Sequence, residues 1–118
     1  MLPYQLHSSY TGTAFYQHEL LSENMLIHGF FTRKGGRSIG DFYGLNCSFN
    51  SGDLFEYVNY NRQIVKKSMN HERCELITLS QVHGSKAINI ENGNCYNAEQ
   101  PSSSFKADGL VTRNKNIL

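Results

Sequence analysis

From Gly35 to Gly52 the sequence places glycine at positions 35, 36, 40, 44 and 52 among Ser, Asp and Asn. Glycine adopts backbone angles closed to other residues and weakens regular elements, so this composition supports loop rather than helix or strand. Irregular stretches of that length inside compact domains are usually functional or disordered. The segments on either side therefore decide the class of fold.

On the N-terminal side, Met25-Leu26-Ile27-His28-Gly29-Phe30-Phe31-Thr32 is apolar and aromatic and is stopped by Lys34-Gly35-Gly36. It predicts a buried strand running into the loop. Further upstream, Tyr4, Tyr10, Phe15 and Tyr16 alternate with Ser, Thr and Gly, a pattern of short strands joined by a turn near Thr11-Gly12-Thr13. On the C-terminal side, Asp53 suits a helix start, and Leu54, Tyr57, Val58, Asn61, Ile64, Val65 and Met69 recur at helical spacing. The spacing predicts a helix over 53–69, with Lys66 and Lys67 in the last turn and Asn70 in the left-handed closing position. Beyond it, Leu76–Leu79, Lys86–Ile90 and Asp108–Thr112 read as strands, and Gln81-Val82-His83-Gly84 as a strand end and turn that puts His83 at a sheet edge. Residues 91–106 are polar and without period, a surface excursion, and Asn116-Ile117-Leu118 opens one more apolar segment. Strands interleaved with helix make the fold class α/β in the broad sense that includes α+β.

Charge narrows the choice of partners. With 11 Lys and Arg against 10 Asp and Glu in 118 residues, the chain lacks the excess that polyelectrolyte binding to nucleic acid or an acidic membrane requires. No run of about 18 apolar residues exists to span a bilayer. The segment from Met1 to His7 has neither the basic start nor the apolar core of a secretory signal, so a cytoplasmic, reducing location is expected. Cys47, Cys74 and Cys95 are odd in number and widely spaced, which matches neither a metal knuckle nor a disulfide framework.

Few residues combine into recognisable chemistry. Histidines 7, 18, 28, 71 and 83 form no local pair of metal-binding spacing. His83 is the best candidate ligand, being flanked by Gln81 and Gly84 at a strand end, where a substrate or metal can approach. Thr32-Arg33-Lys34-Gly35-Gly36-Arg37-Ser38 joins cations to paired glycines and can present guanidinium and backbone N–H groups to an anion such as phosphate. A solvated basic turn explains the same composition. Asn46 either hydrogen-bonds a polar ligand or stabilises its turn. Asp108 either orients a neighbour or caps a strand turn. No nucleophile elbow and no cysteine with an adjacent histidine occurs.

Taken in order, His28-Gly29-Phe30-Phe31-Thr32-Arg33-Lys34-Gly35-Gly36, Gly44-Leu45-Asn46, Asn61-Arg62, Ser80-Gln81-Val82-His83-Gly84 and Ala107-Asp108-Gly109-Leu110-Val111-Thr112 resemble the bacterial laccase-domain family, also called multicopper polyphenol oxidase-like or peptidoglycan-editing-factor proteins. The resemblance runs from about residue 25 to 118. It implies layered mixed β-sheets flanked by helices, with residues 1–118 forming the N-terminal part of a single domain about twice as long. It further implies a zinc-dependent purine nucleoside phosphorylase with adenosine deaminase activity, acting on a purine nucleoside and phosphate. In that family the histidine of the Gln-Val-His-Gly motif is a metal ligand and catalytic group, which maps to His83. A cysteine and a second histidine would be expected beyond residue 118, and the 118 residues alone would be inactive.

Two further readings stand beside this one. Copper at the same ligands would give a polyphenol oxidase, since histidine and thiolate accept both metals; the many His-x-His pairs of true multicopper oxidases are absent. Alternatively the chain is a non-catalytic dimerising fragment, self-associating through an unfinished sheet edge. For the phosphorylase reading, Arg33 with Gly35-Gly36 would hold phosphate, and Asn46 and Gln81 would meet substrate hydroxyls or base.

Overall fold

The alternation over residues 4–20 folds as an antiparallel hairpin in the computed structural model, which describes residues 2–91 and 105–118. Strand β1 (Tyr4–Ser8) pairs with β2 (Ala14–His18) in a register that sets Leu6 opposite Tyr16. A turn over residues 9–13 joins them, closed by Ser9 N–H donating to Thr13 O at 2.9 Å. The described chain divides into two compact units, Met1–Glu72 and Arg73–Leu118.

In the first unit a short helix, α1 (Glu19–Glu23), follows β2 directly, and His18 Nδ1 caps it by accepting from Leu20 N–H. Its far end alters the expected strand over 25–32. Met25 N–H donates to Ser22 O and Leu26 N–H to Leu21 O, both at 3.0 Å, with Met25 left-handed at φ 59°. These two bonds are the double closure that ends many helices. They consume the first residues of the apolar run, and Met25, Leu26 and Ile27 are exposed instead of buried. Only β3 (Phe30–Phe31) remains as strand, antiparallel to β2. On the inner face Phe15 is buried against Phe31, ring centroids 5.0 Å apart, and the missing Cβ of Gly29 lets Met69, Phe15 and Phe31 close around it.

The glycine-rich loop is irregular as expected, apart from a 3-10 turn at Gly40–Phe42 and an antiparallel bridge that closes around it between Ser38 and Gly44. The helix after it, α2 (Phe55–Ser68), starts later than Asp53. Asp53 does not cap it. Its Oδ1 accepts from the neighbouring Leu54 N–H, and Oδ2 is taken by Ser38 and Asn46 from the loop. Val58, Asn61, Arg62 and Ile64 form the buried stripe. Lys66 and Lys67 stand in the last turn, and Asn70 closes the helix at φ 57°, donating to Lys67 O while His71 N–H donates to Lys66 O. Ser68 Oγ lies 2.7 Å from both Thr11 Oγ1 and Thr13 Oγ1, which fastens the hairpin turn to the end of α2.

In the second unit, β4 (Ala87–Asn89) and β5 (Gly109–Val111) pair in parallel. The expected strand over 76–79 does not form a ladder. Isolated parallel bridges flank it, Glu75 with Ile117 and Ser80 with Lys106, because the chain between those two partners turns away to pair with β4. Ile77, Ile90 and Ala107 are buried in this unit. Most of the polar excursion expected over 91–106, including Cys95, lies outside the described residues. Antiparallel and parallel pairing with few helices makes the fold mixed α/β, as the element pattern implied. No helix among the described residues is long and apolar enough to cross a membrane.

Candidate functional site

The glycine loop is built around one buried side chain. Asn61 on α2 is fully buried; its Oδ1 accepts from Arg37 N–H at 2.8 Å, and its Nδ2 donates to Ser38 Oγ at 2.9 Å and Asn46 O at 2.8 Å. Its amide thus satisfies loop groups, among them the backbone N–H of Arg37 and C=O of Asn46, that the Ser38–Gly44 bridge leaves unpaired. The glycines permit the approach. A Cβ on Gly36 (φ +83°) would lie 2.6 Å from Gly44 O, and one on Gly44 (φ +106°) would lie 2.2 Å from Arg33 O.

This packing presents Arg33 outward. Arg33 O accepts from Leu45 N–H at 3.0 Å, while its guanidinium is exposed and has no partner among the described residues. The N–H groups of Gly35 and Gly36 have none either. Asn46 is engaged in the loop: its Nδ2 donates to Ser51 Oγ at 2.8 Å and Asp53 Oδ2 at 3.2 Å, and its Oδ1 accepts from Ser48 N–H. The hydrogen bond from Ser38 holds the Asp53 carboxyl below its ordinary value against the opposing effect of burial, with lesser help from Asn46 and Leu54. Burial pushes the Cys47 thiol up, only partly offset by the nearby Arg62 guanidinium. A protonated, half-buried thiol is a poor ligand and nucleophile.

His83, in the second unit, is exposed and left-handed at φ 58°. Its conformation has a visible cause. The Asp108 carboxylate accepts from Val82 N–H at 3.1 Å through Oδ1 and from Gly84 N–H at 2.9 Å through Oδ2, one on each side of His83. A β-carbon on Gly84 would sit 3.3 Å from that second oxygen. Asp108 immediately precedes β5, and its own N–H and that of Gly109 donate to Lys86 O, so the clamp is anchored to the sheet. The Gln81 side chain is exposed with no partner among the described residues. Both alternatives for Asp108 are therefore met at once, since it closes the turn and orients the residue within it.

Among the described residues no three His, Cys, Asp or Glu side chains converge to hold a metal ion. His83 contributes one donor, and one imidazole does not make a metal centre. Two clefts of about 400 and 410 Å³ lie on the hairpin, one lined by Gln5, His7, Gln17 and Glu19 and the other by Tyr4, Tyr16 and Phe30. Neither includes Arg33, Asn46, Gln81 or His83.

Comparison with known proteins places these features. The family model of the multi-copper polyphenol oxidoreductase laccase matches residues 27–118, and the chain belongs to that family. Its fold is that of the hypothetical protein YfiH from Bacillus licheniformis, with TM-score 0.73 and 23% identity over 94% of this chain and 41% of that one. It is similarly close to YlmD from Geobacillus stearothermophilus, TM-score 0.64 and 23% identity, over 92% of this chain and 36% of that one. A Neisseria meningitidis protein of the DUF152 family superposes with TM-score 0.54 at 20% identity, over 98% of this chain and 39% of that one. The chain thus spans about two fifths of the length of these solved relatives. Among proteins of curated function, none matches it.

Proposed function

We propose that this chain carries the phosphate- and base-binding part of a zinc-dependent purine nucleoside phosphorylase that also deaminates adenosine. The observation supporting this is the loop from Arg33 to Gly36, where the exposed Arg33 guanidinium and the Gly35 and Gly36 backbone N–H groups have no partner among the described residues, a donor set suited to a phosphate dianion. Arg33 would hold the phosphate that attacks the ribosyl carbon, and the charge-assisted hydrogen bonds would orient that nucleophile. Gln81, whose amide has no partner among the described residues, would meet the ribose or base. Asn46 would serve the substrate through the loop that it braces. His83 would act as catalytic group and metal ligand, with a cysteine and a histidine supplied from sequence beyond residue 118. Zinc, or copper in its place, would belong to that completed set.

The test is an assay of adenosine and inosine, with and without inorganic phosphate, on this chain and on a polypeptide that extends through the family's full domain. The expected outcome is release of free base and ribose 1-phosphate only from the longer polypeptide, with Arg33→Ala raising the phosphate KM about tenfold or more. Phosphate dependence untouched by Arg33→Ala would remove that residue's role. Oxidation of phenols with no purine turnover would favour the copper reading that the family's description carries.

A further inference from the structure

Among the described residues, strand β1 has one neighbour. It bonds β2 along one side, and among the described residues nothing bonds the other. The register identifies which groups are left open. Beyond the two ends of the ladder, Glu19 N–H donates to Pro3 O at 2.8 Å and Ser9 N–H to Thr13 O at 2.9 Å. Hydrogen-bonded pairs alternate with non-bonded ones in an antiparallel ladder, so Gln5 and His7 bond β2, whereas Tyr4, Leu6 and Ser8 turn their N–H and C=O groups outward. The equivalent outward groups at the ends of β2 are used. Ala14 O accepts from Thr32 N–H at 2.9 Å, and His18 N–H donates to His28 Nε2 at 2.8 Å. On β1 they have no such partner among the described residues.

The side chains of those same residues lie on the sheet face opposite Phe15. There Leu6, Tyr16 and Phe30 stand side by side across the three strands and are 55%, 38% and 63% exposed. Natural edge strands are commonly guarded by a charge, a proline or a bulge. Tyr4-Gln5-Leu6-His7-Ser8 has no Lys, Arg, Asp, Glu or Pro, and its register with β2 is unbroken.

We propose that this edge pairs with a second copy of the chain, two β1 strands running antiparallel about a two-fold axis at Leu6. The strand is its own complement in that register. Leu6 faces Leu6 of the partner subunit, Tyr4 faces Ser8 of the partner subunit, and each facing pair exchanges two N–H···O bonds. No Lys, Arg, Asp or Glu is brought opposite a like charge, and the row from Phe30 through Tyr16 to Leu6 continues across the axis. A two-fold contact is closed, so assembly stops at two copies. Five residues of edge bury less than the roughly 1,200 Å² of a standard stable interface, so the dimer is a weak one, populated toward millimolar concentration. This inference is independent of the phosphorylase reading.

Sedimentation of the purified chain from micromolar to millimolar concentration tests it. A monomer–dimer equilibrium is expected, weakened about tenfold or more by Leu6→Lys and by Leu6→Pro. Proline removes an N–H that the β1–β2 ladder does not use, so the monomer keeps its hairpin. Met25→Lys, at another exposed apolar position, should leave the equilibrium unchanged. Hydrogen exchange on the unmodified chain supplies a second readout: the amides of Tyr4, Leu6 and Ser8 should slow with concentration, while those of Gln5 and His7 stay protected throughout. A monomer at every concentration, a dimer indifferent to both Leu6 substitutions, or growth beyond two copies would overturn the proposal. So would concentration-independent protection at Tyr4, Leu6 and Ser8, which would mean that the same polypeptide covers its own edge.

Discussion

Asn61 and Asp108 each use one polar side chain to impose a backbone shape that the local sequence does not favour. Asn61 is fully buried with three loop groups on its amide within 3 Å. Asn61→Ala strands those groups away from water, so a loss of about 2–3 kcal/mol is expected in urea unfolding. Gly44→Ala should cost more than about 2 kcal/mol, because its Cβ meets a carbonyl at a positive φ. Asp53 gives a pH signature. Its folded carboxyl titrates below the ordinary value, so the stability it contributes is present above the unfolded value of about 3.9 and is lost as pH falls below it through the folded one. Asp53→Asn should flatten that acid limb in denaturant melts measured across pH. Cys47, with its thiol pushed up by burial, should alkylate more slowly at neutral pH in the folded chain than in urea.

At the scale of elements, the two helix closures make a natural comparison. Both α1 and α2 end in the same pair of backbone bonds, with Met25 at φ 59° in one and Asn70 at φ 57° in the other. Asparagine tolerates that conformation and methionine does not, at a cost of roughly 1–2 kcal/mol. Met25 is 90% exposed, so little packing depends on it. Met25→Gly is therefore expected to raise stability by about 0.5–1 kcal/mol, a rise of a few degrees in Tm. Asn70 was legible because its type and position agree. Met25 was not, since an apolar residue beside Leu26 and Ile27 resembles the start of a strand, and only the helix before it assigns those N–H groups to Ser22 and Leu21.

For the molecule as a whole, the order of strand, glycine loop, helix and later strands was readable because periodicity and glycine content are local properties of the chain. The same holds for the family, whose motifs keep their order from His28 to Thr112 within the matched residues 27–118. Candidate site residues were legible by type: a cation beside paired glycines, and a histidine beside a glycine. What each does was not, because a hydrogen bond between residues distant in sequence leaves no periodic trace. Asn61 reads as one more position on an amphipathic helix, yet it organises the loop 15 to 24 residues upstream. Asp53 reads as a helix cap, yet its carboxylate is drawn into the loop by Ser38 and Asn46. Sequence alone determined the N-terminal hairpin, the glycine loop and the amphipathic helix after it, since backbone freedom and side-chain spacing act over a few residues. Only the tertiary structure decided that Asn46 faces into its loop, that Arg33 faces out of it, and that Asp108 holds His83 from 24 to 26 residues away, because those outcomes depend on which buried polar groups find each other when the chain closes.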